Sequence, residues 1–226
     1  RPTISNHWGE NAAVLIGDYL FAKSATFVCD TENVRVIRIF SETIMHLSSG
    51  ELKERLSAYD WRTDRKKYYD RIWQKTASLF TTSAETGAIL SGAPEAIVTK
   101  FHTFGYSLGM AFQIVDDILD FQGTESEVGK PVGNDLAQGV LTLPAILLHE
   151  RYPKESPIKA VFQSHGDSAP VKRAVEMINN SSVIEDSYKV ATDFCNDART
   201  LIASMPDNSY HKILMELPEH VLERKN

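Results

Sequence analysis

The apolar residues of this chain recur at three- and four-residue steps almost from end to end. That pattern leaves α-helices as its building blocks. Val36, Phe40, Ile44 and Leu47 show it in one segment, and strict alternation of the strand type is scarce. Helices with one apolar stripe bury it by packing on one another, so the spacing predicts an all-α, single-domain helical bundle. At 226 residues, 42% of them hydrophobic, the chain can build one core without disulfide or metal staples. Its two cysteines, Cys29 and Cys195, form no CxxC pair, which argues against a disulfide scaffold or a zinc module. A net charge of −6 argues against a nucleic-acid surface but leaves anionic substrates open, because local charge can oppose the net value. No contiguous apolar run approaches the roughly 20 residues of a membrane span. The longest include Ala12 to Ile16 and Leu143 to Leu148, and no membrane span is expected. No signal or transit peptide is visible, so a cytoplasmic protein is expected. The chain begins at Arg1 instead of a methionine.

Element by element, a helical pattern follows Gly9 and runs to about Val28. Thr31 can cap a second helix over 32–57, and Thr63 or Asp64 a third that ends near Gly92, just before Pro94. A fourth runs over 95–121. On it Gly105 and Gly109 share a face on which missing side chains let another helix approach closely. Residues 123–139 are rich in glycine and read as a long loop, and loops beyond about 12 to 15 residues in a compact domain are usually functional or disordered. Shorter helices are expected over 142–150, 157–163, 169–179, 182–203 and 209–223.

The strongest chemical signal is Phe112-Gln113-Ile114-Val115-Asp116-Asp117-Ile118-Leu119-Asp120-Phe121. On a helix, Gln113, Asp116, Asp117 and Asp120 fall on one face, while isoleucine, valine and leucine fill the other sides. Two unit charges about 6 Å apart repel by roughly 3 kcal/mol at an effective dielectric near 20, so three carboxylates on one stripe call for a counter-cation. Oxygen donors without histidine or cysteine nearby point to Mg²⁺, which commonly bridges carboxylates to substrate phosphates. The plain alternative, a solvated acidic face, is disfavoured by the apolar helix around them. Gly129-Lys130-Pro131 and Gly133-Asn134-Asp135 add backbone donors, an ammonium and a further carboxylate, without forming a P-loop. Lys75-Thr76 lies inside the third helix; its lysine either snorkels to solvent or, facing the aspartates, holds a diphosphate. The seven histidines show no HExxH spacing, and no nucleophile-elbow pattern occurs.

Taken in order along nearly the whole chain, these pieces resemble the trans-polyprenyl diphosphate synthase (isoprenoid synthase) family. The resemblance rests on Arg1-Pro2-Thr3, Trp8-Gly9, Ala13 through Leu20, Gly50-Glu51, Lys75-Thr76-Ala77 and Gly87 through Gly92. It continues through Gly105 to Phe121, Gly129-Lys130-Pro131, Asp135-Leu136 and Thr142-Leu143-Pro144. It implies an all-α fold with a central cavity. It also implies a reaction in which an allylic diphosphate, held through Mg²⁺, ionises and the double bond of isopentenyl diphosphate attacks the cation. By motif position, Asp116, Asp117 and Asp120 would hold Mg²⁺. Lys75, Thr76, Gln113 and Lys130 would contact the allylic diphosphate or its metal shell, with Asp135 a weaker candidate. A homodimer is implied as well.

Two departures stand out. The family's first aspartate-rich motif and its arginine pair would precede Arg1, and Asp116-Asp117 is the chain's one Asp-Asp pair. Glu54 stands where family members often carry glutamine. Three functions follow: an elongating prenyltransferase seen without its N-terminal part, a non-catalytic partner subunit, or a terpene cyclase. The intact Lys75-Thr76 and Asp116-Asp117-x-x-Asp120 favour the first. The 226-residue polypeptide is therefore expected to be inactive by itself. Incorporation of labelled isopentenyl diphosphate checks this, and robust turnover would refute it.

Overall fold

The computed structural model describes residues 2–122 and 132–224. Among these the regular structure is helical throughout, without a strand. The chain opens with α1 (Ile4–Trp8), α2 (Glu10–Cys29) and α3 (Val34–Leu56). Helix α4 (Arg65–Ile72) runs through a π-helical turn (Trp73–Ala77) into α5 (Ser78–Leu90), and α6 (Glu95–Leu119) follows. Beyond it come α7 (Asn134–Ala137), α8 (Leu143–Arg151), α9 (Ile158–Gln163), α10 (Ser168–Asn179), α11 (Val183–Ile202) and α12 (Ser209–Leu222).

The helix starts follow local chemistry. Asn33, not Thr31, caps α3: its Oδ1 accepts from the backbone N–H of Arg35 at 3.1 Å and of Val36 at 3.2 Å. Thr31 instead donates its hydroxyl back to the Val28 carbonyl, and Glu32 takes φ 51°, which keeps it out of the helix. Asp64 caps α4 as expected, accepting from Lys67 N at 2.9 Å.

Helix α6 is the centre of the bundle. Met110, Ala111, Ile114, Val115 and Ile118 are wholly buried, enclosed chiefly by α11 and α5. The close approach expected at its two glycines is present. A Cβ on Gly105 would stand 2.6 Å from the Phe80 carbonyl oxygen, and one on Gly109 would stand 2.6 Å from Ala77 Cα. These contacts press α6 onto the π-helical turn and α5 at a distance no side chain permits. From the other side, a Cβ on Gly50 of α3 would meet Lys75 N at 2.8 Å, so α3 also rests on the π turn.

Helix α2 is, by length and composition, long and apolar enough to cross a membrane. No contiguous run revealed this because Asp18 and Lys23 interrupt the sequence, whereas an average over the helix tolerates them. No residue of α2 is buried among the described residues; Leu15, Tyr19 and Phe27 stand open, as do Val34 and Met45 of α3. An apolar cavity of about 660 Å³ lies between α5, α6 and α12, lined by Phe80, Leu108, Phe112, Leu217 and Val221.

The glycine contacts make a stability prediction. Gly109→Val should destabilise the fold by about 1–3 kcal/mol through overpacking, read as a lowered urea midpoint at unchanged slope. Gly87→Ala on α5, where nothing lies within 4 Å of the added methyl, should be neutral or stabilising.

Candidate functional site

Near the C-terminal end of α6 the surrounding helices leave one polar strip. Gln113 follows Gly105 and Gly109 at the same four-residue step, so the face that packs closest also carries its amide to the π turn. There the Thr76 hydroxyl donates to Gln113 Oε1 at 2.5 Å. Gln113 Nε2 in turn donates to Asp117 Oδ1 at 2.8 Å, and the Tyr68 hydroxyl donates to Asp117 Oδ2 at 2.7 Å. The amide has one workable orientation, because a carboxylate takes only donors and Thr76 Oγ1 supplies one to its oxygen. A continuous line of hydrogen bonds thus joins α4, the π turn and α6.

The three aspartates of the motif occupy different surroundings. Asp117 is 4% exposed and turned inward onto Tyr68 and Gln113. Asp116 faces solvent, 3.3 Å from Arg224 Nη2 and 3.5 Å from Gln113 Nε2. Asp120 Oδ2 accepts from Asp135 N at 3.1 Å, which ties α6 to the first turn of α7. Burial pushes the Asp117 carboxyl up to about 7, with Asp135 adding repulsion and Tyr68 and Gln113 opposing it. Burial also pushes Asp120 up to about 7, helped by Asp135 and Asp116 against the backbone donors of α7. Asp135 is raised by burial and by Glu54. Among the described residues, no three His, Cys, Asp or Glu side chains converge on a single metal position. The donors are nevertheless oxygens whose ionised forms are penalised, a set that a hard divalent cation relieves.

Lys75 reaches the same place from the π turn. Its Nζ lies 2.6 Å from Glu54 Oε1 and 3.4 Å from Glu51 Oε2, so it is paired instead of snorkelling free. A cavity of about 180 Å³ is lined by Lys75, Gln113, Asp116, Asp117 and Asp135 together with Glu54 and Arg71. Lys130, Gly129 and Pro131 lie outside the described residues. The motif reading passed over Tyr68, Arg71 and Arg224. Arg71 is buried and donates to the Leu141 carbonyl at 2.7 Å. Arg224 lies 4.0 Å over the Phe112 ring while reaching Asp116. Tyr68, Arg71 and Lys75 recur at helical spacing along one face, and that was the available signal. Arg224 had none, since only folding brings the residues after α12 to α6.

The family model for polyprenyl synthetase matches residues 1–186. The chain belongs to the polyprenyl synthetase family. Heptaprenyl diphosphate synthase component 2 of Geobacillus stearothermophilus is 36% identical, over 99% of this chain and 70% of that protein. The crystal structure of heptaprenyl diphosphate synthase from Staphylococcus aureus superposes with a TM-score of 0.94 at 32% identity, over all of this chain and 71% of that one. Polyprenyl synthase from Caulobacter crescentus, solved with calcium and isoprenyl diphosphate, gives 0.89 at 28% identity, covering 98% of this chain and 69% of that one. The all-α isoprenoid synthase fold expected from the ordered motifs is therefore present. The most buried carboxylate among the described residues, Asp117, lies on the same cavity as Lys75.

That burial has a measurable consequence. Between the usual aspartate value of 3.8 and about 7, the unfolded chain has released the Asp117 proton while the folded chain keeps it. Stability contributed by the protonated carboxyl is therefore lost as pH rises through that window. Melting in EDTA should show a falling Tm from pH 5 to pH 8, and Asp117→Asn should lessen that slope, leaving the part that Asp120 contributes. An unchanged slope would place the Asp117 titration elsewhere.

Proposed function

We propose that this chain carries the allylic-diphosphate side of a Mg²⁺-dependent prenyltransferase. The reaction joins isopentenyl diphosphate to an allylic diphosphate and so elongates a trans-polyprenyl diphosphate, in the cytoplasm. What carries the reading is the meeting of Lys75, Gln113, Asp116, Asp117 and Asp135 on one cavity, in a chain of the polyprenyl synthetase family. Residues 1–226 are taken as one polyprenyl synthase domain.

Asp116, Asp117 and Asp120 would hold Mg²⁺, with Asp135 as a further oxygen donor. The fit rests on the donor chemistry: oxygen ligands only, and buried carboxyls whose charge needs compensation. When bound, the ion neutralises charge developing on the leaving diphosphate. Lys75, Thr76, Gln113 and Lys130 would contact the diphosphate or its metal shell. The Lys75 ammonium donates to phosphate oxygens, and Gln113, fixed by Thr76, orients the Asp117 carboxylate. Arg224 borders the apolar cavity and also reaches Asp116, so the polar and apolar cavities adjoin at its guanidinium. A prenyl chain seated among Phe80, Leu108 and Phe112 would keep water from the carbocation.

Two copies of the chain are proposed to associate through the apolar surface that α2 and α3 leave open. A membrane span is disfavoured for α2, because Asp18 and Lys23 would lie within the hydrocarbon. Asp116 is the informative residue for the metal reading because it faces solvent and its loss spares the core. Asp116→Ala should abolish Mg²⁺-dependent binding of an allylic diphosphate analogue in calorimetry, and cut turnover of the complete enzyme by at least about 100-fold. Its Tm should stay within a few degrees of wild type. Unchanged binding and turnover would remove Asp116 from the metal site.

A further inference from the structure

Glu54 holds an unusual place in the polar cavity. It stands one turn beyond Gly50, where α3 touches the backbone of the π turn, and this close packing delivers its carboxylate to Lys75. One oxygen, Oε1, takes the Lys75 ammonium at 2.6 Å. The other, Oε2, lies 3.7 Å from Arg71 Nε, an N–H that is buried and makes no hydrogen bond among the described residues. Arg71 is itself 7% exposed and fixed through Nη2 on the Leu141 carbonyl, so the idle Nε is held in place. Both cations line the cavity, and a buried donor without a partner costs free energy until something accepts from it.

We propose that Glu54 is a two-position carboxylate that competes with the diphosphate for Lys75. In one position it occupies the ammonium. In the other it turns to Arg71 Nε and leaves Lys75 to phosphate oxygens. Diphosphate capture is then an exchange of one anion for another, and Glu54 sets how tightly the diphosphate is held and how readily it leaves. The hydrogen bond gained at Arg71 offsets the one given up at Lys75, which makes the exchange inexpensive. Glu51 cannot play this part: it is the more exposed carboxylate and lies at 3.4 Å. Burial pulls the Lys75 ammonium down, but Glu54 and Glu51 outweigh it and hold the proton more firmly than usual, so the competed group stays a cation.

The inference rests on the function proposed above, and one experiment separates the two. Binding of inorganic pyrophosphate in the presence of Mg²⁺ is measured by calorimetry on the 226-residue chain. Glu54→Gln, which keeps shape and removes charge, should tighten binding about ten-fold. Lys75→Ala should weaken binding, and adding Glu54→Gln to it should restore less than about two-fold, since the competition acts through Lys75. Arg71→Lys should weaken binding in the wild-type background and change it by less than about two-fold beside Glu54→Gln, where no carboxylate needs a receiver. Melting curves confirm that each variant is folded. If Glu54→Gln binds pyrophosphate equally or more weakly while Lys75→Ala still weakens it, the exchange is wrong and the diphosphate site stands. If Lys75→Ala binds like wild type, the diphosphate site fails and the exchange falls with it.

Discussion

The contact of α6 with the π turn and α5 governs the rest of this molecule. Gly105 and Gly109 allow backbone to lie against backbone, and the next residue on that stripe is Gln113. The distance set by two missing side chains is the distance over which Thr76 reaches Gln113, which donates to Asp117 one turn further along α6. Larger residues at those positions would part the helices and break the line of hydrogen bonds before touching any charged group. The π turn contributes as well. An extra residue in a helical turn re-aims the side chains around it, and here it presents Lys75 and Thr76 to different partners.

Around this contact the site is a balance of charge in a partly dry space. Glu54, Asp116, Asp117 and Asp135 face Lys75 and Arg71 across one small cavity. Burial and mutual repulsion work against ionisation of the deeper carboxyls, so the site is suited to a divalent cation that relieves them. The adjoining apolar cavity is suited to a hydrocarbon chain, and Arg224 lies on the boundary between them. A polar head beside an apolar tail is the shape of a prenyl diphosphate, and family membership points the same way.

Much of this was legible in order along the chain. The four-residue step of Gly105, Gly109 and Gln113, the Asp116-Asp117-x-x-Asp120 face and the Lys75-Thr76 pair are local patterns, and a helix turns local patterns into neighbours. The misreadings have physical causes. Thr31 and Asn33 are both good caps, and the choice between them turned on Thr31 being drawn back to Val28. The π turn leaves no mark in composition, and Gly50 and Gly109 pack closely against it. The apolar character of α2 was hidden by Asp18 and Lys23, which interrupt a run without changing the average.

By itself the sequence determined the helices, the family, and the residue types that bring oxygen donors and an ammonium together, because these follow from periodicity and short spacing. The tertiary structure decided which aspartate is buried, and that Arg224, just past the last helix, returns to Asp116. It also decided that Lys75 is already paired with Glu54. Burial and pairing depend on which distant segments pack together, and spacing along one helix carries no record of that.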